Sequence, residues 1–374
     1  VPVRSDVSLA DLTTLGVGGP VGHLVEVADA ASLVAAVRAA DDAGRPLLLL
    51  GGGSNLVAPD AGWPGDVVLV RSRGVHQVPG PLPAPAGATA GSDAGPVDAG
   101  AVLLEVQAGE PWDDLVAETV RRGLAGVEAL SGIPGSTGAT PVQNVGAYGQ
   151  EVSQTIVAVR VFDRTAGTEQ VLTPADCGFA YRDSRLKQQP GRYVVLTVTF
   201  ALQPGPLSAP VGYAELARRL GVQVGERAPL EQVREAVLGL RRGKGMVWDP
   251  ADPDSRSAGS FFTNPVVADA VAAAVPDCPS WPAGAGRRKL SAGWLVEHAG
   301  FGRGTREGRV GTSSRHSLAL TTEPGATAAE LIAFAARVVT AVEQRFGVTL
   351  VPEPTVLGQG GPGGSHRGQA PSPR

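Results

Sequence analysis

Lysine is almost missing from this chain. Of its 32 basic residues only Lys187, Lys244 and Lys289 are lysine, and the rest are arginine. A compact ammonium on a flexible stem differs in reach and geometry from a planar guanidinium, so each remaining lysine is a candidate for a site that needs a point charge. Cysteine is scarce as well. Cys177 and Cys278 lie about a hundred residues apart with few histidines near them, which supports neither a disulfide framework nor a zinc site, so no metal is expected. No excess of one charge exists either: the net charge is −4 with both signs interspersed, which gives no nucleic-acid footprint. No apolar run approaches the roughly twenty residues of a membrane span, and no basic segment followed by an apolar one suggests a secretory leader. What these absences leave is a cytoplasmic enzyme acting on small molecules. Its 374 residues, 43% hydrophobic, suffice for two or three cores.

What is present begins with seventeen residues free of charge: Ile133-Pro134-Gly135-Ser136-Thr137-Gly138-Ala139-Thr140-Pro141-Val142-Gln143-Asn144-Val145-Gly146-Ala147-Tyr148-Gly149. Glycine and alanine let a backbone approach a ligand closely, and hydroxyls and carboxamides offer hydrogen bonds without the desolvation cost of an ion. Such a wall suits a flat polar ring system such as a flavin; taken alone it fits tight packing equally well. A second segment bears on the choice. The run Leu47-Leu48-Leu49-Leu50 reads as a buried strand that empties into Gly51-Gly52-Gly53-Ser54-Asn55, whose successive N–H groups can cradle a pyrophosphate. No Gly-Lys-Ser/Thr follows, so it is not a P-loop, and the dinucleotide fingerprint fails at Leu56.

Periodicity organises the rest. Residues 30–43 carry Leu33, Val34, Val37 and Ala40 at helical spacing and complete a first unit, residues 1–70. A second unit, 71–228, contains a Pro/Ala/Gly-rich insertion at 79–100 to which no chemistry is assigned, a strand at 101–108, and a helix begun by Pro111 with Trp112, Leu115, Val116 and Val120 on its apolar face. Strands at 155–162, 170–173 and 193–202 follow. The third unit, 229–357, reads as helices at 230–241, 266–275, 290–298 and 328–346 with strands at 317–321 and 348–357. Residues 358–374 are too polar to pack and are expected to be disordered.

Three further clusters combine rare residues with loop positions: Phe179-Ala180-Tyr181-Arg182-Asp183-Ser184, Ser257-Ala258-Gly259-Ser260-Phe261-Phe262-Thr263-Asn264-Pro265, and Leu350-Val351-Pro352-Glu353-Pro354. With the two glycine-rich segments, and in this order, they make the chain resemble the UDP-N-acetylenolpyruvoylglucosamine reductases, flavoenzymes that complete UDP-N-acetylmuramate for peptidoglycan. The resemblance runs from about Leu12 to Leu357. It implies an α+β fold, with a two-part FAD-binding region of the vanillyl-alcohol-oxidase type and a C-terminal α+β substrate-binding domain. It also implies FAD as cofactor, NADPH as electron donor, and a monomer.

Residue by residue, the resemblance places FAD against Gly51, Gly52, Gly53, Ser54, Asn55, Ser136, Thr137, Gly138, Thr140, Asn144 and Gly146. Arg182 and Glu353 match the residues set against the substrate carboxylate and the enolate-like intermediate, where a guanidinium can donate two parallel hydrogen bonds. Ser260 matches the proton donor; the plainer reading is a cap for a helix at Val266. Tyr213 matches a tyrosine on a mobile loop of one subclass that folds onto the diphosphate, Lys244 a phosphate contact, and Asn264 a substrate contact. Lys289 falls on a motif where a substrate contact or a salt bridge would serve equally. Lys187 reads as a solvated or structural charge. His316, where other members carry glutamine, stays outside the catalytic set. A flavin oxidase or hydroxy-acid dehydrogenase on the same platform would share the first two motifs without needing Ser260 beside Arg182 and Glu353, and a binding module without turnover would have replaced one of the three.

Overall fold

The computed structural model describes residues 3–4, 6–80 and 100–358; the expected insertion and tail fall almost wholly outside the described residues. The architecture is α+β. Its first sheet runs Val3–Arg4, Val21–Val27, Trp63–Val70, Leu47–Leu50 in spatial order, with the last three strands parallel. Parallel strands of one sheet need a crossover, and helix Ala30–Asp42 supplies it from Val21–Val27 to Leu47–Leu50, on either side of Trp63–Val70. Asp29 caps that helix by accepting from the Ser32 N–H, and Leu33, Val34, Val37 and Ala40 are the residues it buries, as their spacing predicts.

The second sheet is antiparallel, in the order Thr168–Leu172, Ile156–Asp163, Tyr193–Pro204, Val102–Gln107, Val75–Val78. Helix Trp112–Arg121 packs on it through Trp112, whose ring centroid lies 5.8 Å from that of Phe200 and whose Nε1–H donates to the Leu130 carbonyl at 3.0 Å. A bulge between Arg160 and Val161 shifts the register against Tyr193–Pro204. Beyond it Phe162, Val194 and Leu196 join Val27, Leu33 and Val68 in a core shared with the first sheet. Helix Leu230–Gly243 packs beside helix Trp112–Arg121, its Arg234 donating to both carboxylate oxygens of Asp113 at 2.6 and 3.0 Å.

In the C-terminal part, Ser257–Ser260, Ala319–Thr322, Val310–Thr312 and Arg306–Glu307 form one antiparallel sheet; Val266–Ala268, Arg287–Leu290 and Ser280–Pro282 form another. Helix Ala328–Phe346 covers them. It starts in a reciprocal Thr327/Glu330 capping box, ends at Gly347 with φ +66°, and buries Leu331, Phe334 and Val338 against Phe261, Leu290 and Leu295. Truncating Phe334 to alanine there would cost roughly 3–5 kcal/mol, and the same core takes in Leu15, Val17 and Val57 from the N-terminal unit.

Three expectations need correction. Residues 266–275 are not one helix: Val266–Ala268 is a strand paired with Arg287–Leu290, and only Asp269–Ala273 is helical, because the β-branched pair Val266-Val267 finds a partner strand distant in sequence. The helix expected at 290–298 starts at Ala292, capped by Ser291, while Leu290 ends a strand. The strand expected at 348–357 shrinks to Thr355–Val356, since Pro352 and Pro354 have no N–H for a ladder. That short strand nevertheless decides the site: it pairs in parallel with Leu56–Val57, directly after the Gly51–Asn55 loop, and so carries Glu353 to the loop.

Candidate active site

A cavity of about 1120 Å³ lies where the glycine loop, the uncharged wall and the C-terminal part meet. All five motifs line it. Of the residues singled out from sequence, Gly51, Gly52, Gly53, Ser54, Asn55, Ser136, Thr140, Gly146, Arg182, Tyr213, Lys244, Ser260, Asn264, Lys289 and Glu353 face it. Thr137, Gly138 and Asn144 do not line it, for a plain physical reason. Thr137 is fully buried and donates its N–H and hydroxyl to the Glu110 carbonyl. Gly138 packs its backbone on Ala108. The Asn144 carboxamide donates to Glu151 and the Ala180 carbonyl and accepts from the Ser153 N–H. These three hold the wall up from behind.

The two glycine-rich segments lie back to back. A Cβ on Gly52 would sit 2.6 Å from the Gly135 Cα, and one on Gly51 2.2 Å from the Ser136 Oγ, so these glycines are required by contact between the segments themselves. The loop differs from the wall in its donors. Among the described residues the amides of Gly52, Gly53, Ser54 and Asn55 donate to no protein acceptor, whereas those of Thr137, Gly138, Ala139 and Thr140 are all spent within the fold. A run of unspent N–H groups facing a cavity is the chemistry of an anion cradle.

Across the cavity, Arg182, Ser260 and Glu353 come together from three separate segments. The Glu353 N–H donates to the Phe261 carbonyl at 2.8 Å, which ties the glutamate's segment to the residue that follows Ser260. Its Oε1 lies 3.3 Å from the Arg182 Nε and accepts from the Gln143 Nε2 at 3.4 Å. The Arg182 Nε–H is not aimed at that carboxyl and, although buried, has no hydrogen-bond partner among the described residues, so one guanidinium N–H beside Glu353 stays unspent. Burial pushes the Glu353 carboxyl above the usual glutamate range, opposed by the charges of Arg182 and then Lys187. Ser260 ends its strand, and its hydroxyl makes no hydrogen bond among the described residues. The capping role drops out, because Val266 opens a strand and the helix after it has no side-chain cap.

Further cationic and aromatic groups line the cavity. Lys244 Nζ pairs with Glu215 at 2.9 Å and lies 5.6 Å from the Tyr148 ring centroid; Tyr148 meets Tyr213 edge-on at 5.6 Å. Tyr213 precedes helix Ala214–Leu220 without capping it through its side chain. Lys289 Nζ sits 4.7 Å from the Tyr181 ring centroid. Asn264 spends its Oδ1 on the Ala292 N–H and keeps its NH2 for donation. His316 also lines the cavity: its Nδ1 accepts from the Leu318 N–H at 3.1 Å, which places the proton on Nε2, and burial lowers its pKa, so it is a neutral donor.

Sequence reasoning left out Gln143, Tyr148, Tyr181, Arg241 and Lys187, all of which line the cavity. For Lys187 the signal existed, since the chain's only three lysines all face this one space. For others it did not. Arg182, Tyr148 and Asn144 have φ of 56°, 49° and 47°, the positive-φ non-glycine residues among those described, and no pattern in the sequence announces that.

Fold and cavity together define a nucleotide-binding enzyme, and residues 93–173 match the model of an FAD binding domain, which makes it a flavoenzyme. Residues 250–357 match the C-terminal domain of UDP-N-acetylenolpyruvoylglucosamine reductase. The reductase of Thermobifida fusca is 51% identical over 94% of this chain and 97% of its own length, and that of Streptomyces coelicolor 50% identical over 94% and 90%. The crystal structure of the enzyme from Thermus caldophilus superposes with a TM-score of 0.61 at 25% identity, covering 95% of this chain and 99% of that one. The chain belongs to the UDP-N-acetylenolpyruvoylglucosamine reductase family, FAD-dependent enzymes that reduce an enolpyruvyl nucleotide sugar in peptidoglycan synthesis. The residues here fit FAD: four unspent amides suit its pyrophosphate, and the uncharged wall suits its ring system.

Proposed function

We propose that this cavity reduces the enolpyruvyl ether of UDP-N-acetylglucosamine enolpyruvate, with NADPH as electron donor and the roles divided among residues as follows. Gly51, Gly52, Gly53, Ser54 and Asn55 hold the flavin pyrophosphate, and Ser136, Thr140 and Gly146 present the wall to its ring. Bound FAD supplies the hydride. Arg182 faces the substrate carboxylate, where its guanidinium offsets the negative charge that builds up as the vinyl group is reduced. Glu353, kept neutral to higher pH by burial, can donate a hydrogen bond to the same developing charge where an ionised carboxylate would repel it. Ser260 delivers a proton to the carbon next to that carboxylate, leaving a saturated lactyl ether. A serine hydroxyl is a weak acid, and it serves only when held in place against a strongly basic carbanion.

Tyr213, Lys244, Asn264 and Lys289 bind the substrate's diphosphate and uridine, with Tyr213 placed as in the subclass whose tyrosine loop folds over. We assign residues 1–70 and 71–228 to the flavin and 229–357 to the substrate. The enzyme acts as a monomer in the cytoplasm, which accords with two buried, unpaired cysteines. Among the described residues no helix is long and apolar enough to cross a membrane.

The observation that carries the reading is the meeting of Arg182, Ser260 and Glu353 on the same cavity as the unspent amides of the glycine loop. Anaerobic rapid mixing tests it. NADPH should bleach the flavin, and UDP-N-acetylglucosamine enolpyruvate should restore the oxidised band. In Ser260→Ala the bleaching should persist while the second phase slows by about 10² to 10⁴ or more. Equal slowing of both phases would overturn the proton-donor role.

A further inference from the structure

Arg182 is held in an unfavourable backbone conformation at the point where its side chain is needed. It lies in a tight turn in which Ala180 and Asp183 exchange both backbone hydrogen bonds, at 3.0 and 3.2 Å, and its φ is 56°. A non-glycine residue stays there only if its surroundings over-determine it. The side-chain end is fixed by a hydrogen bond from a terminal guanidinium nitrogen to the Gly146 carbonyl at 2.6 Å. The backbone end is fixed by Lys187, whose Nζ donates to the Arg182 carbonyl at 2.9 Å.

Lys187 is itself anchored. It belongs to the short helix Arg185–Gln188, whose cap Ser184 accepts from the Lys187 N–H and donates its own hydroxyl to the Val142 carbonyl at 2.6 Å. A path of hydrogen bonds therefore runs from the uncharged wall through Ser184 and Lys187 to Arg182. In a chain that meets nearly every other need for positive charge with arginine, a lysine here has a geometric reason: a single carbonyl oxygen at the end of a tight turn suits one compact donor better than a planar fork.

We propose that Lys187 is a positioning residue for the reduction of the enolpyruvyl group, pinning the Arg182 turn and placing a second positive charge beside Glu353. The inference rests on the roles given above to Arg182 and Glu353. The charged and titratable groups around that carboxyl are Arg182 and Lys187, with Tyr181 next to it and Lys289 and Glu151 behind Tyr181. Lys187 acts on both members of the Arg182–Glu353 pair, one by a hydrogen bond and the other through space.

Three variants separate the hydrogen bond from the charge. Lys187→Met removes both, Lys187→Gln keeps a donor without the charge, and Lys187→Arg keeps the charge in another shape. In Lys187→Met the reoxidation of reduced flavin by the enolpyruvyl substrate should slow by about 10²-fold, the scale of a misplaced catalytic group. The pH limb of that phase belonging to Glu353 should move to higher pH, since a lost neighbouring cation makes the carboxyl harder to ionise. Lys187→Arg should return the limb to its original place while recovering only part of the rate, and Lys187→Gln should recover rate without returning the limb. Glu353→Gln, which abolishes the limb, identifies it. Thermal midpoints of the flavin-loaded variants serve as a fold check. A limb that stays put in Lys187→Met, or a loss shared equally by both half-reactions, overturns the proposal. If Arg182→Met and Glu353→Gln also leave reoxidation intact, the underlying assignment fails; if they slow it severely, leaving a measurable residual rate, while all three Lys187 variants behave as wild type, only this inference fails.

Discussion

The loop Gly51-Gly52-Gly53-Ser54-Asn55 and the wall from Ile133 to Gly149 look alike in sequence, and the fold uses them in opposite ways. Both are glycine-rich, uncharged and lined up along one cavity. Among the described residues the loop leaves four successive amides without protein acceptors, while residues 137–140 of the wall spend theirs on Glu110, Ala108, Ser136 and Thr137. Composition therefore reports that a segment can approach something closely. The hydrogen-bond ledger reports whether that something is a ligand or the protein itself.

Substitutions at matched glycines sharpen this contrast. The largest effect is expected at Gly53, whose φ is +63° and whose added Cβ would fall 1.9 Å from the Leu12 carbonyl oxygen. Gly53→Ala must move backbone, and a cost of about 3 kcal/mol or more, set against a total stability of roughly 5–15 kcal/mol, should remove both flavin and much of the folded protein. Thermal unfolding with and without added FAD measures both. Next comes Gly138→Ala, where the new Cβ meets the Ala108 Cβ at 2.5 Å. Overpacking should cost about 1–3 kcal/mol in apo-protein stability, with FAD affinity in the folded fraction little changed. If Gly138→Ala weakened FAD binding as strongly as Gly53→Ala, the wall and the loop would not differ as described.

A smaller effect is expected where both segments reach the same residue. Asn55 Nδ2 donates to the Glu353 carbonyl at 3.5 Å, and also to the Gln143 Oε1 at 2.9 Å, which leaves the Gln143 Nε2 to face the Glu353 carboxylate. Because burial raises the folded-state pKa of Glu353, the native protein holds this proton to higher pH than the unfolded chain does. Stability from that source is complete below the ordinary glutamate value and is lost as pH rises through the raised one. Glu353→Gln should therefore unfold at the same denaturant concentration or a higher one near neutral pH, with a flatter dependence on pH above the ordinary glutamate value, despite its loss of turnover. Denaturant titrations of the apo-protein across that range would show it, and an unchanged slope would count against the buried neutral carboxyl.

Much of the fold was legible because its signals are local. The period of Leu33, Val34, Val37 and Ala40 fixes a helix face, and the same holds for Trp112, Leu115, Val116 and Val120. What the sequence hid is non-local. Val266 and Val267 follow a partner strand about twenty residues on, and Glu353 reaches Asn55 only through the pairing of Thr355–Val356 with Leu56–Val57. The candidate site divides the same way. Fifteen of eighteen residues chosen from motifs face the cavity, and the three that do not, Thr137, Gly138 and Asn144, differ from their neighbours only in where their polar groups point. Lys187 was visible as a rarity, but its target is a carbonyl oxygen, which no residue type reveals.

The most direct test of the contrast is residue-resolved amide hydrogen exchange on apo-protein and on protein reconstituted with FAD. The amides of Gly52, Gly53, Ser54 and Asn55 should exchange fast without FAD and become protected when it binds, while those of Thr137, Gly138, Ala139 and Thr140 should be protected in both. Protection gained at 137–140 with none at 52–55 would place the cofactor's phosphates elsewhere and contradict the account.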